Sequence, residues 1–553
     1  MARAALHGVR PGYAGLMRAW SVGSCFFVAL VCATGVAHAK EWFVAPGGAG
    51  NGDSGSPFGK IQQGLDAAQP GDVINVAAGT YAESLKSARN GTAQSPITLR
   101  AASGAKVEVS FAGVLLRVDH AYLVVESLVL DGQYANADLV DVNDGATGLV
   151  LRKTEIRRAT KDCVDMAGPA DVTIDQCLIH HCLNATGGQT DAHGVTGGPV
   201  KNLTIRDTEI HTFSGDAIQF DPGRQLPGWT DIRVEGCKLW TGPLAQPENG
   251  FAAGAVPGEN AIDTKTNAAA PRAKLTVVNT SAWGFRGGFI SNMAAFNLKE
   301  NIDAVLDRVT VFDSEIAFRT RGPGSNGGAW VRVQNAVVYD VDKAVRYEDD
   351  IAKLAVLNAT FGRDVLAAFQ AASSAATKPD VRNLLVLGGA LPPQAAAASN
   401  LAVTASAFVD ATKDDYHLPA GSPAIDKGES IAEVTLDRDG TARPQAAGWD
   451  VGAYEACEGA SCGPGSGGSG GSAASGGAGG GASGEGGSVA SGGAPGSGAT
   501  GGVGSGGSGG SSSSGADSGD DAGCGCRAAP RSSSGLAWLA LSLLLALRAR
   551  RPD

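Results

Sequence analysis

A short pattern that returns every few dozen residues constrains this chain more than anything else in it. A hydrophobic residue follows a Gly, Asp or Asn turn at Val140, Val164, Val195, Ile218, Ile262, Phe289, Phe318 and Val345, at intervals of 24, 31, 23, 44, 27, 29 and 27 residues. A second β-branched element recurs between them, as in Val172-Thr-Ile-Asp, Leu203-Thr-Ile-Arg and Ile232-Arg-Val-Glu. Self-similarity at this period, without helical spacing, predicts a solenoid of short parallel strands with one coil per repeat. The expected fold is all-β, a parallel β-helix.

Composition agrees. With 553 residues and 43% hydrophobic content the chain can bury a long core, while 80 Gly and 6% aromatics suit thin, turn-rich coils. The formal charge is -11, and -14 without Arg3, Arg10 and Arg18. An acidic chain without a basic stripe argues against nucleic acid as a partner. A polyanionic sugar remains compatible if a local basic patch reverses the sign.

In chain order, residues 1–39 read as a secretory signal, with a basic start, the apolar run Cys25–Cys32 and the small-x-small site Ala37-His38-Ala39. Residues 40–456 form the solenoid domain. Near its start Ile61, Leu65 and Ala68 share one helical face that Pro70-Gly71 ends, predicting an amphipathic helix over the open end of the coils. Residues 457–522 collapse to Gly, Ser and Ala, a disordered tether. Residues 523–553 hold Cys524 and Cys526, a short apolar run and terminal arginines. The acids of Asp437–Gly440 suit a turn, or a partial calcium loop.

The cysteines suit export. Cys457 and Cys462 are expected to pair. Cys177 and Cys237 hold equivalent positions two coils apart, about 9.6 Å at ~4.8 Å per coil, which predicts no bond between them. Cys163 and Cys182 stay unassigned.

Side chains alternate in a strand, so the residue after each inward hydrophobic faces out. That column reads Asp141, Asp165, Thr196, Gln219, Asp263, Ile290, Arg319, Arg346; two positions on come Asn143, Ala167, Gly198, Asp221, Lys265, Asn292, Arg321, Glu348. Acids gather on early coils and bases on later ones, meeting at Asp221, Asp263 and Lys265. β-Elimination of a uronic-acid polysaccharide needs such a junction. Calcium held by Asp216, Asp221, Glu259 and Asp263 would neutralise the carboxylate beside C5. Lys265 would then remove the proton, and Arg286, Arg319 or Arg321 would bind a substrate carboxylate or assist the base. His193, Gln219 and Trp240 are candidate sugar contacts. Structural roles compete with these: Asp216 and Asn260 suit turn closure, His193 a satisfied turn, Asp263 with Lys265 a solvated pair, and Trp240 and Trp283 burial.

Several stretches carry family resemblances. Trp42-Phe-Val-Ala-Pro-Gly-Gly with Pro57–Tyr81 resembles the N-terminal cap of extracellular right-handed β-helix proteins, polysaccharide lyases among them, and Asp415–Gly428 with Asp450–Glu455 looks like their closing element. This resemblance implies that the parallel β-helix is right-handed. Gly258-Glu-Asn-Ala-Ile-Asp-Thr-Lys265 resembles the acidic-then-lysine strand of calcium-dependent β-helix lyases acting on alginate or chondroitin-type chains, and is similar to lysine-base pectate lyases. In the first family an arginine follows one coil later, which implies Arg286; Arg319 fits the outward column better, two coils away. The C-terminal cysteines, apolar run and arginines resemble the sorting tag of myxobacterial surface proteins, implying attachment to the cell envelope. The expectation is a secreted, surface- or outer-membrane-associated, monomeric lyase of an acidic polysaccharide. The alternatives are a non-catalytic adhesin or glycan-binding module, a C5-epimerase and, more weakly, a carboxylate-pair hydrolase.

Overall fold

A computed structural model describes residues 39–185, 191–372, 378–388 and 390–457. Apart from Ala39 and Cys457, the expected leader, tether and tag lie outside these residues. The described part is a β-solenoid of three parallel sheets with 13, 11 and 13 strands. Each inner coil contributes one strand to each sheet, and every sheet is ordered by coil, so sequence repeats become spatial neighbours.

The inward rows explain why the repeats stack. Val140, Val164, Val195, Ile218, Ile262, Phe296, Phe318 and Val345 stand in register along the second sheet, and all are buried. Ile156, Ile179, Ile210, Leu239, Ala282 and Val311 do the same along the third sheet. Burying a whole aliphatic side chain contributes about 1.5–3 kcal/mol, so a one-residue slip in any coil would be costly.

The expected Phe289 is not in this row. It lies in an exposed loop, and Phe296 takes its place, opposite Ile262 and Phe318. Ile290 and Asn292 therefore leave the outward columns, and Asn297 and Lys299 enter them. The slip arises because a loop insertion precedes this coil as well as the previous one, and Arg-Gly-Gly-Phe imitates a turn followed by a strand.

The first end is closed as expected. The helix Ile61–Ala67 buries Ile61 and Leu65, with Ala68 beyond it, against the first coil. Glu83 accepts from the backbone amides of Ile61 and Gln62 at 2.9 and 3.2 Å, satisfying donors that a helix start leaves open. Gly64 is required there, since a Cβ would lie 2.7 Å from Ile74 Cγ2. At the other end Arg443, fully buried, bonds Glu455 at 2.6 Å and the carbonyls of Gly452 and Ala453 at 2.9 Å. The turn at Asp437 is built by that carboxylate accepting from the amides of Asp439, Thr441 and Glu455, a structural role.

Cys163 and Cys182 form a disulfide within one coil, with Cα atoms 5.8 Å apart. Cys177 and Cys237 are free and buried, separated by the Thr208 coil, in line with the stacking argument. Cys457 is disulfide-bonded, but its expected partner Cys462 lies outside the described residues.

Candidate functional site on the second sheet

The outward face of the second sheet carries the polar column. Asp141, Asp165, Thr196, Gln219, Asp263, Asn297, Arg319 and Arg346 stand in register on successive strands. Outward does not mean solvated here. Thr196, Gln219, Asp263 and Asn297 are only 2–5% exposed. Three of them keep a buried polar atom without a hydrogen bond: Thr196 Oγ1, Gln219 Oε1 and Asn297 Oδ1. His193 Nε2 beside them is a fourth. Buried polar atoms are nearly always satisfied, so these four leave hydrogen-bonding capacity on one wall that polar groups from outside the chain can meet.

Asp263 is the centre. Its Oδ2 lies 3.6 Å from Lys265 Nζ, and its Oδ1 lies 3.4 Å from Lys299 Nζ and accepts from Asn297 Nδ2 at 3.0 Å. Both lysine side chains are 12% exposed. Burial opposes the Lys265 ammonium, but Asp263, Asp216 and Asp191 outweigh it and lift its pKa above the ordinary lysine value. These carboxylates favour the ammonium form of Lys265.

A second layer lies behind. Asp216, fully buried, accepts from the Asn260 amide at 3.0 Å, Asn260 Nδ2 at 2.8 Å and Gln219 Nε2 at 2.6 Å. Asn260 in turn accepts from the Ala294 amide, so these residues tie three coils together as turn closers do. Burial, then Asp263, pushes the Asp216 carboxyl up to about 6. His193 holds Asp162 at 2.7 Å and points Nε2 toward Asp216 at 3.7 Å. Burial disfavours its charge, yet Asp162, Asp216 and Asp191 raise it to about 9. Glu259, half-buried, is pushed to about 8 by burial first and then by Asp216 and Asp191, with Asp263 adding and His193 opposing. One region thus holds carboxyls with well-separated proton affinities and two lysines, a combination typical of sites that move protons.

Other expected residues are elsewhere. Trp240 stands on the third sheet, its faces covered by His211 at 4.3 Å and Trp283 at 5.7 Å between ring centroids, and its Nε1 donates to Glu209. It belongs to an outer aromatic row through His180, His211, Trp283, Phe312 and Tyr339 and offers no free face to a sugar. Arg286 clamps a bend, reaching Asp313 at 3.3 Å, Asp340 at 3.2 Å and the Ser314 carbonyl. Asp221 has a left-handed backbone (φ 45°) and turns Oδ1 to the Gln225 amide at 2.9 Å. Arg319 and Arg321 lie on the site's wall, two coils on, held by Glu348. Lys299 was missed. Phe296-Asn-Leu-Lys299 repeats Ile262-Asp-Thr-Lys265 in the next coil, and aligning the two would have found it.

Of the four proposed calcium ligands, Asp216, Glu259 and Asp263 act on one another electrostatically while Asp221 does not join them, and as arranged they do not fit the ion. Asp216 and Asp263 are engaged by amides and ammonium groups, and Asp221 is turned away. Among the described residues no three acid, histidine or cysteine side chains form a metal-holding group. Calcium prefers six or more oxygens, and two adjacent ammonium groups oppose it.

The site is thus a charged, partly covered polar wall on a parallel β-solenoid. No family model matches the sequence, and no curated protein matches it. Similar solved structures include pectate lyase Pel9A at 17% identity, with 76% of this chain and 97% of that chain covered and a TM-score of 0.44. A rhamnogalacturonan lyase is similar at 13% identity over 67% and 91% of the two chains, TM-score 0.45. An alginate lyase from Paenibacillus sp. str. FPU-7 overlaps at 19% identity over 58% and 95%, TM-score 0.34. At these levels the likeness assigns no activity to this chain.

Proposed function

We propose that this chain is an exported, surface-attached lyase that cleaves a uronate-containing polysaccharide on the outward wall of its second sheet. The observation that carries the reading is the convergence of Lys265 and Lys299 on one nearly buried carboxylate, among polar atoms that lack partners. A uronate carboxylate entering there meets two ammonium groups, which lower the cost of the negative charge that develops when its C5 proton leaves. Gln219 Oε1 and Asn297 Oδ1, lone acceptors on the coils either side of Asp263, suit sugar hydroxyl donors.

Glu259 has the proton affinity best matched to transfer near neutral pH. In its ionised form it takes the C5 proton; the C–H electrons form the C4–C5 double bond as the bond from C4 to the glycosidic oxygen breaks. Glu259 then returns the proton to the departing oxygen. Lys265, expected from sequence to be the base, acts in this reading as a neutralising cation beside Lys299. No step runs through calcium.

The test is ultraviolet absorbance of the unsaturated product from alginate, pectate and chondroitin-type chains, with added calcium and with a chelator. Absorbance should rise on one of them at similar rates in both conditions, and Lys299→Ala and Glu259→Gln should each abolish the rise. No unsaturated product on any uronate polymer sinks the reading. A hydrolase is the second reading, supported by the separated carboxyl affinities of Glu259 and Asp263's neighbours; it would give new reducing ends without unsaturation.

A further inference from the structure

Beyond the lysines the same wall stays cationic. Arg319 and Arg346 are in register on adjacent strands, in the column that contains Asp263 and Asn297. Both reach one acid, Glu348, through Nε: Arg319 at 2.8 Å and Arg346 at 3.2 Å. Arg346 also contacts the neutral Gln370 through a terminal nitrogen at 3.0 Å. Arg321 adds a third contact to Glu348 at 3.1 Å. Leaving Arg321 aside, two guanidiniums still share one carboxylate, and their side chains are only 17% and 12% exposed. Like charges crowded at low exposure cost free energy that a further anion would relieve. If the cluster served only to stitch coils together, one arginine per acid would suffice.

Position adds direction. At ~4.8 Å per coil, Arg319 stands about 10 Å and Arg346 about 14 Å from Asp263 along the axis. Toward the other end the column becomes neutral at Gln219 and Thr196, then passes through Asp165 and Asp141 to Arg117, which pairs with Asp141 at 2.9 Å, and to Lys86. A polyanion held at Lys265 and Lys299 is drawn toward the arginines.

We propose that Arg319 and Arg346, with Glu348 between them, form a second anion subsite, which takes the carboxylate or sulfate of another sugar of the chain held at Lys265 and Lys299. The inference rests on the glycan-binding part of the function above and not on cleavage. It makes the substrate a polymer with anionic groups on more than one sugar, running from the lysines toward later coils.

Calorimetry at two salt concentrations tests it, with single sugars and hexamers of mannuronate, guluronate and galacturonate and a chondroitin 4-sulfate hexasaccharide. On the hexamer that the unchanged protein binds best, Arg319→Gln/Arg346→Gln should weaken binding roughly tenfold or more and flatten its salt dependence. Single sugars, too short to span both cation groups, should lose far less. Glu348→Gln, which removes the competing anion, should tighten hexamer binding, an effect that a purely structural cluster would not produce and that does not depend on the double variant folding. Preference for the sulfated hexamer assigns sulfate, and preference for a uronate hexamer assigns carboxylate. Equal hexamer affinity in all three proteins overturns the subsite and leaves the lyase reading standing. Arginine-dependent binding without cleavage keeps the subsite and removes the lyase. Binding of no charged oligomer removes both.

Discussion

Asp263→Asn separates what holds this wall together from what it is for. Asp263 lies 3.4 and 3.6 Å from two ammonium groups. At an effective dielectric constant near 20, each contact amounts to about 5 kcal/mol of gross attraction. Much of that is offset by the several kcal/mol needed to desolvate each ion, and removing one member of such a buried group typically costs about 3–5 kcal/mol net. Asparagine keeps the size and can keep the contact to Asn297, but it leaves Lys265 and Lys299 facing each other. In a solenoid each coil is stabilised by its neighbours, so the loss should stay local. Hydrogen exchange in peptides covering Ile262–Thr264 and Ala294–Leu298 should quicken roughly a hundred- to a thousandfold, while peptides around Ile97–Ala101 stay unchanged. The same substitution should tighten uronate binding, by about tenfold for one charge-assisted contact no longer contested, because the substrate carboxylate stops competing with Asp263. Stability falls and affinity rises together, as expected of a residue that holds a binding site closed on itself. If exchange and affinity are both unchanged in Asp263→Asn, the two lysines are ordinary surface cations and the site has been misread.

Three further outcomes are expected. With Glu259 raised to about 8, the ionised form that accepts the C5 proton grows as pH climbs through that value, so kcat/KM should rise up to about pH 8. His193 has a folded value near 9, above its ordinary 6.5, so its contribution to stability is full below pH 6.5 and lost as pH rises through 9. Thermal unfolding midpoints should fall over that window, and Asp162→Asn, which removes its closest partner, should shrink the fall. Cys163→Ser opens a disulfide that closes a loop of 19 residues and should cost about 3 kcal/mol in chemical denaturation.

The architecture was legible because a coil repeats one physical problem, burying a hydrophobic residue after a turn, and the sequence answers it the same way each time. Val140, Val164, Val195, Ile218, Ile262, Phe318 and Val345 were each placed correctly by that rule, and so was the gradient from Asp141 and Asp165 to Arg319 and Arg346. The failure at Phe289 is instructive because it was local. A loop of uncounted length precedes the strand, and a hydrophobic residue after Gly-Gly satisfied the same template. Only pairing with both neighbouring coils, Ile262 and Phe318, selects Phe296.

What alternation cannot give is depth. It assigns a side chain to the inner or outer face of a strand, but the outer face of this sheet is itself covered around Gln219 and Asp263. That covering decides the chemistry. On an open surface Asp263 and Lys265 would be a screened pair worth little, and Glu259 would titrate as an ordinary acid. Covered, the same residues give a lysine whose ammonium form is favoured by the acids around it and a glutamate pushed up to about 8. In the function proposed above, Glu259 and Lys265, expected from sequence as metal ligand and base, take the parts of proton carrier and neutralising cation because both are largely covered. The interval of 44 residues between Ile218 and Ile262, longer than the others in the series, holds a loop that brings Glu259 to the wall, and its excess length was visible from the start. Where a regular solenoid departs from its own period, the extra residues have left the repeating burial problem, and the chemistry of the outer wall is the first place to look for what they do.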